Sequence, residues 1–297
     1  MRFSVDGIIS AMVTPFTANG EYVDFDKVAP LAEWLIAKGV AGLFPCGTTG
    51  EGQLLYPGER KEILEEVVSA AGKETLVVAH TGAQDLATTI ELSRHAQECG
   101  ANAVAVVAPS YYTYDDKALF QFFKSVAKAV TGFPVLVYNI PGCTHNPLSG
   151  DLILRLAESV ENIAGIKDSS GSMALLTRLL GAAPKGFHVI NGSDDYGYQF
   201  FQAGGKAAVS GTSNVCPELY ARIHKNLRQG NTKKAWKEQI ALEKACRLFE
   251  YGAKVSVFKE GMRLRGFDPG AVRPPQRELT AAEKRKLAKG LEELGLL

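Results

Sequence analysis

NAVAVVAP (residues 102–109), PVLVYN (134–139) and NIAGIK (162–167) are three short apolar runs of one kind. Each is rich in Val and Ile and apolar on both faces, as strands buried in a parallel sheet are. Similar runs stand on either side: GIISAMVTPF from Gly7, AGLFPCG from Ala41, TLVVAH from Thr75, HVING from His188 and KAAVSG from Lys206. Amphipathic segments separate them. Asp26–Lys38 lays Val28, Leu31 and Leu35 on one stripe, and Leu86–Cys99 does the same with Ile90 and Ala96. Glycine follows each segment, at Gly39 and Gly100, and again at Gly204, as expected of a left-handed helix cap that hands the chain to the next strand. Eight alternating β and α units predict a parallel sheet with helices outside it, closed as a (β/α)8 TIM barrel. An open doubly wound sheet is the rival, but it usually carries GxGxxG after its first strand. Here that strand ends in Thr14-Pro15-Phe16.

Beyond the strands the pattern changes. Residues 1–226 read as the barrel and 227–297 as a C-terminal helical extension. Its helices are expected over Asn231–Phe249, Ala253–Leu264 and Thr280–Leu294, interrupted by Arg273-Pro274-Pro275. The basic cluster Lys284-Arg285-Lys286 falls on the last of them and reads as a solvated helix face.

Composition excludes several classes of function. With 33 basic and 32 acidic side chains in 297 residues, the formal charge of +1 provides no field to recruit nucleic acid or an anionic membrane. No stretch approaches the roughly 18 apolar residues that span a bilayer, and MRFSVDGIIS lacks a signal-peptide core. A cytoplasmic location is the expectation. Five scattered cysteines without CxxC spacing and five histidines without HExxH argue against a disulfide framework or a metal site. No cofactor is expected.

In a barrel of this kind, reactive groups belong at the C-terminal ends of the strands. The second run ends in Gly47-Thr48-Thr49-Gly50-Glu51, where hydroxyls and backbone N–H groups can hold a carboxylate, or where a simple glycine turn can sit. The fourth is followed by Pro109-Ser110-Tyr111-Tyr112, open to packing, interface or proton relay. Tyr138 ends the fifth, as a core residue with a satisfied hydroxyl or as a proton relay. The sixth ends in Gly165-Ile166-Lys167-Asp168-Ser169-Ser170. A lysine inside an apolar strand is the strongest chemical signal in the chain. Burial disfavours an ammonium, and a neutral amine attacks ketones. The alternative is a lysine that snorkels to the rim or pairs with a carboxylate.

Taken together, GTTGE, the loop tyrosines, YNIP and GIKDSSG, in this order and spacing, resemble the dihydrodipicolinate synthase/N-acetylneuraminate lyase family over essentially the whole chain. The resemblance implies a Schiff-base lyase of the class I aldolase type acting on pyruvate or another 2-oxo acid and an aldehyde. It implies that Lys167 forms the imine, that Tyr138 shuttles protons, and that Thr48 joins the relay. Tyr112 would complete that relay from a neighbouring subunit of a homotetramer built as a dimer of dimers. Gly47 and Thr49 would hold the carboxylate. Val209 and Gly192 would lie near the imine, and Ser169 and Asp194 would bind substrate hydroxyls. For Asp194 or Asp195, a helix N-cap is the other reading.

One departure bears on the second substrate. Synthases of the family carry an arginine shortly after the YNIP motif to bind the carboxylate of aspartate semialdehyde. Cys143 stands there, and cysteine cannot offer the charged fork that a carboxylate prefers. His145 could compensate only when protonated. N-Acetylneuraminate cleavage is disfavoured because GTTGE replaces the usual GSTGE and Gly211 stands where a serine is expected. A 2-keto-3-deoxy sugar acid is therefore the expected substrate, for aldol cleavage, condensation or dehydration. The alternatives are 4-hydroxy-tetrahydrodipicolinate synthesis and a non-catalytic 2-oxo-acid-binding homologue.

Overall fold

The computed structural model describes residues 3–250 and 253–297. Eight parallel strands close in sequence order: β1 (Gly7–Ser10), β2 (Gly42–Leu43), β3 (Leu76–His80), β4 (Ala103–Val107), β5 (Val135–Asn139), β6 (Ile163–Asp168), β7 (His188–Asn191) and β8 (Ala207–Ser210). β1 pairs with β8 over four residues and so seals the barrel. The expected fold is the observed one. Alternate strand residues fill the interior, among them Ile9, Phe44, Val78, Ala105, Leu136, Ile190 and Val209, and the opposite faces bury a larger shell against the helices. Glycine is required where strands run closest: a Cβ on Gly165 would lie 2.3 Å from the His188 carbonyl oxygen.

β2 is much shorter than the run that predicts it. Pro45 has no N–H to give a neighbour, and Cys46 adopts φ 57°. The chain therefore leaves the sheet at Phe44 and turns into the GTTGE loop.

Helices follow the strands much as the apolar stripes predict. Asp26–Lys38 resolves into a 3-10 turn, Phe25–Lys27, and a helix, Val28–Ala37. Leu86–Cys99 becomes Leu86–Glu98, with the Asp85 side chain accepting the Thr88 N–H as its cap. Gly39, Gly100 and Gly204 all take positive φ, as the cap reading requires.

At the C-terminus the helices are Thr232–Leu248, Lys254–Leu264 and Ala281–Glu293, the last opened by a capping box between Thr280 and Glu283. The expected division after residue 226 falls inside the helix Pro217–Arg228, which packs on β1 as the barrel's eighth helix. We propose the turn at residues 229–231 as the division instead. Among the described residues, no helix is long and apolar enough to cross a membrane.

Candidate active site

A register shift creates the central pair. Val135 lies opposite Ile163, but Leu136 lies opposite Gly165, so β6 carries one extra residue at that point. In unbroken register Tyr138 would face Ile166. The inserted residue sets it beside Lys167 instead, and both side chains then point into the barrel mouth. Lys167 is buried. Its Nζ lies 3.5 Å from the centroid of the Tyr138 ring and 5.2 Å from that of Phe44. It donates to Ser169 Oγ at 3.1 Å. Among the described residues no carboxylate forms an ion pair with Lys167, so the amine has aromatic faces and one hydroxyl for company.

Ser169 is itself fixed from β7. Its hydroxyl faces the Gly192 carbonyl at 3.4 Å, and the Gly192 N–H donates to the Asp168 carbonyl at 2.7 Å. Any Cβ at position 192 would fall 2.1 Å from Ser169 Oγ. Gly192 is thus the residue that lets Ser169 stand next to the lysine. Asp168 points away from this cluster. One carboxylate oxygen accepts the Asn139 amide at 2.6 Å and the other accepts Ser170 Oγ at 2.8 Å. Burial pushes its pKa up, and the hydrogen bonds from Ser170 and Asn139 oppose the shift.

The GTTGE loop meets the pair from β2. Thr48 Oγ1 and the Tyr138 hydroxyl are 3.3 Å apart, a two-member chain along which a proton can pass. Gly47 and Thr48 line a cavity that runs on through Gln53, Gln84 and Ser110 to Cys143 and Thr144. Thr49 Oγ1 lies toward the end of β8, 3.3 Å from where a Cβ on Gly211 would stand. Val209 lies on the inner face of β8 in the same apolar layer as Tyr138.

The structure therefore brings Lys167, Tyr138, Thr48, Ser169 and Gly192 together. Two expected residues stand apart. Tyr112 is exposed on its loop and packs edge-on against Tyr111, 5.0 Å between centroids; it does not line the cavity. Asp194, expected to bind substrate hydroxyls, has one carboxylate oxygen engaged inside the protein. Its Oδ2 is taken by Ser210 Oγ at 2.8 Å, Thr212 Oγ1 at 2.6 Å and the Thr212 N–H at 3.3 Å. It thereby holds the first N–H of the 3-10 turn Thr212–Asn214, after β8. Burial raises its pKa to about 6, against the hydrogen bonds from Thr212 and Ser210.

His80 is a site residue that the sequence reading passed over. It ends β3 with its ring 5.8 Å from that of Tyr138 and 5.9 Å from that of Phe44. Burial, with Arg60 and Lys167 nearby, pushes its pKa well below the usual histidine value. Arg60 Nη2 approaches His80 Nδ1 at 3.3 Å. A guanidinium only donates, so Nδ1 accepts and the neutral ring carries its proton on Nε2. The available signal was positional, since His80 and Val78 share the inward face of a strand. Among the described residues there is no group of three or more His, Cys, Asp or Glu side chains placed to hold a metal ion.

Comparison with known proteins bears directly on this arrangement. The model of the dihydrodipicolinate synthetase family matches residues 4–294.

The chain belongs to that family.

Among family relatives, a 4-hydroxy-tetrahydrodipicolinate synthase of Moorella thermoacetica is 36% identical over 293 residues, 98% of each chain. An uncharacterized DapA-like lyase of Halobacterium salinarum is 35% identical over 98% of this chain and 94% of its own. Among solved structures, a prophage protein of the dihydrodipicolinic acid synthase family from E. coli K12, in complex with pyruvate, matches with a TM-score of 0.93 at 33% identity. That match covers 98% of this chain and 99% of the other. The protein is accordingly an enzyme, a lyase of the class I aldolase type.

Proposed function

We propose that the enzyme forms a Schiff base between Lys167 and the ketone of pyruvate or a related 2-oxo acid, and that its second substrate is an uncharged, hydroxylated aldehyde. The overall reaction is then aldol cleavage or condensation, or dehydration, of a 2-keto-3-deoxy sugar acid. The neutral lining of the cavity beyond Thr48 carries this reading. Gln53, Gln84, Ser110, Cys143 and Thr144 are all uncharged there, and His80, the remaining titratable ring, is held neutral. A carboxylate-bearing aldehyde would enter this space without a cation to meet it. His145 lies one residue past the lining, on an exposed turn at φ 58°.

In the proposed reaction the neutral amine of Lys167 adds to the ketone. Proton transfer through Tyr138 and Thr48 helps expel water, and the protonated imine draws electrons from C3. The resulting enamine is the carbon nucleophile of condensation and the product of retro-aldol cleavage. Gly47 and Thr49 hold the carboxylate through the backbone N–H groups of the loop. We place the enzyme in the cytoplasm as a homotetramer, a dimer of dimers, with Tyr112 reaching a neighbouring subunit's site.

The second reading is 4-hydroxy-tetrahydrodipicolinate synthesis, favoured by relatives of that name at 31–36% identity. A pyruvate-release screen over 2-keto-3-deoxy sugar acids separates the two. It is run beside a condensation assay with pyruvate and aspartate semialdehyde. Release from a sugar acid with negligible condensation supports the proposal, and efficient condensation without release overturns it.

A further inference from the structure

The GTTGE loop ends on a glutamate whose surroundings the chemistry above does not use. Glu51 adopts φ 56° and ψ 26°, left-handed backbone that favours glycine. Its side chain is wholly buried and points away from the cavity, toward the C-terminal part of the chain. There Lys259 Nζ lies 2.9 Å from Oε1, and neither side chain has any exposure. The Arg273 N–H donates to Oε2 at 2.8 Å, and Gln276 Nε2 donates to the same oxygen at 2.9 Å. All three partners lie beyond residue 250.

The loop is tied to the segment after β1 and to itself. Thr14 Oγ1 donates to the Gly50 carbonyl at 2.6 Å, the Glu51 N–H reaches the Thr48 carbonyl at 3.2 Å, and the Gly52 N–H reaches the Gly47 carbonyl at 3.0 Å. The same short turn thus carries the Thr48 hydroxyl that meets Tyr138 and the glutamate that meets Lys259. A movement of Glu51 moves Thr48.

A buried ion pair is a poor choice for stability alone, because an apolar pair of similar volume usually serves as well or better. What the pair supplies is a fixed distance and direction. From this juxtaposition, and resting on the reading of the loop as the 2-oxo-acid carboxylate site, we propose that Glu51 and Lys259 are positioning residues. The C-terminal helix Lys254–Leu264 sets the loop for carboxylate binding through them and is thereby a working part of the active site.

The test uses the full-length chain, pyruvate as probe and cyanoborohydride trapping of the imine, followed as a function of pyruvate concentration. Single variants Glu51→Gln and Lys259→Met leave one buried charge unpaired and can fail to fold. The double variant Glu51→Gln/Lys259→Met removes both charges, so its melting temperature should stay close to wild type. Its half-saturating pyruvate concentration should rise about tenfold, within the range that sub-ångström to ångström misplacement produces, while the plateau trapping rate falls by much less. A half-saturation equal to wild type, at any melting temperature, overturns the inference. So does a lost plateau at unchanged half-saturation. A wild-type chain that gives no pyruvate adduct overturns the site reading itself and this inference with it, which distinguishes the two failures.

Discussion

Replacing Gly192 by alanine gives a quantitative check on how Lys167 is held. The new Cβ would lie 2.1 Å from Ser169 Oγ, 2.9 Å from the Asp168 carbonyl oxygen and 3.2 Å from Ser169 Cβ. Ordinary contact begins near 3.4 Å, so the Ser169 hydroxyl must retreat by about 1.3 Å. That breaks its 3.1 Å hydrogen bond with Lys167 Nζ. Losing one such bond costs about 1–2 kcal/mol, or roughly 5–30-fold in rate. Displacing the amine itself adds to this, since an ångström at a reacting group is worth up to ~10²-fold. Gly192→Ala should therefore slow imine trapping with pyruvate by about 10- to 100-fold. Ser169→Ala removes the bond without the clash and should slow it by about 5- to 30-fold, the cost of the bond alone. The double variant Gly192→Ala/Ser169→Ala should be faster than Gly192→Ala alone, because the tightest contact is gone. Recovery stays partial, because the Asp168 carbonyl contact remains. The assay is the rate of adduct formation followed by intact mass. Gly192→Ala at the wild-type rate, or a double variant no faster than Gly192→Ala, would refute the proposed support of Lys167 from β7.

Three further outcomes follow from the same geometry. Tyr138→Phe keeps the ring over Lys167 but removes the hydroxyl that meets Thr48; pyruvate release should fall about 10²-fold with little change in melting temperature. Cys143→Arg places a cation in a neutral cavity, and kcat/KM for condensation of pyruvate with aspartate semialdehyde should rise at least ~10-fold, the scale of one charged hydrogen bond; no rise would mean that the cavity is not where the second substrate binds. Asp194 has its folded-state pKa raised from 3.8 to about 6, so the folded state binds the proton more tightly than the unfolded one. Its contribution therefore favours folding below pH 4 and is lost as pH climbs through 6, by on the order of 3 kcal/mol. Urea denaturation of Asp194→Asn against wild type at pH 4 and pH 7 reads this directly: the variant should gain stability relative to wild type at the higher pH, and an unchanged difference would contradict the assignment.

Much of this site is legible in the sequence because its physical causes are local. The apolar runs and glycine caps fix the order of strands and helices, and strand ends in a barrel converge whatever the loops do. Lys167, Tyr138 and Thr48 are readable for that reason. The bulge between β5 and β6 is not, because it depends on how two strands pair, and yet it decides that Tyr138 rather than Asn139 faces the lysine. His80 belongs to no metal motif, and its place on the inward face of β3 is the signal the sequence carries for it. Asp194 illustrates another kind of contact that local pattern does not announce: Ser210 and Thr212, sixteen and eighteen residues on, donate to one of its carboxylate oxygens. The pairing of Glu51 with Lys259 joins residues 208 positions apart, and nothing in the local pattern of either announces it.

The central claim is that Lys167 is the amine that takes the ketone. It is tested most directly by incubating the wild-type chain with pyruvate and borohydride and mapping the modified peptide by mass spectrometry. The expected result is one reduced pyruvate adduct per chain, carried by the peptide that contains Lys167 and abolished in Lys167→Ala. An unmodified wild-type chain, or an adduct confined to another lysine such as Lys259, would contradict it.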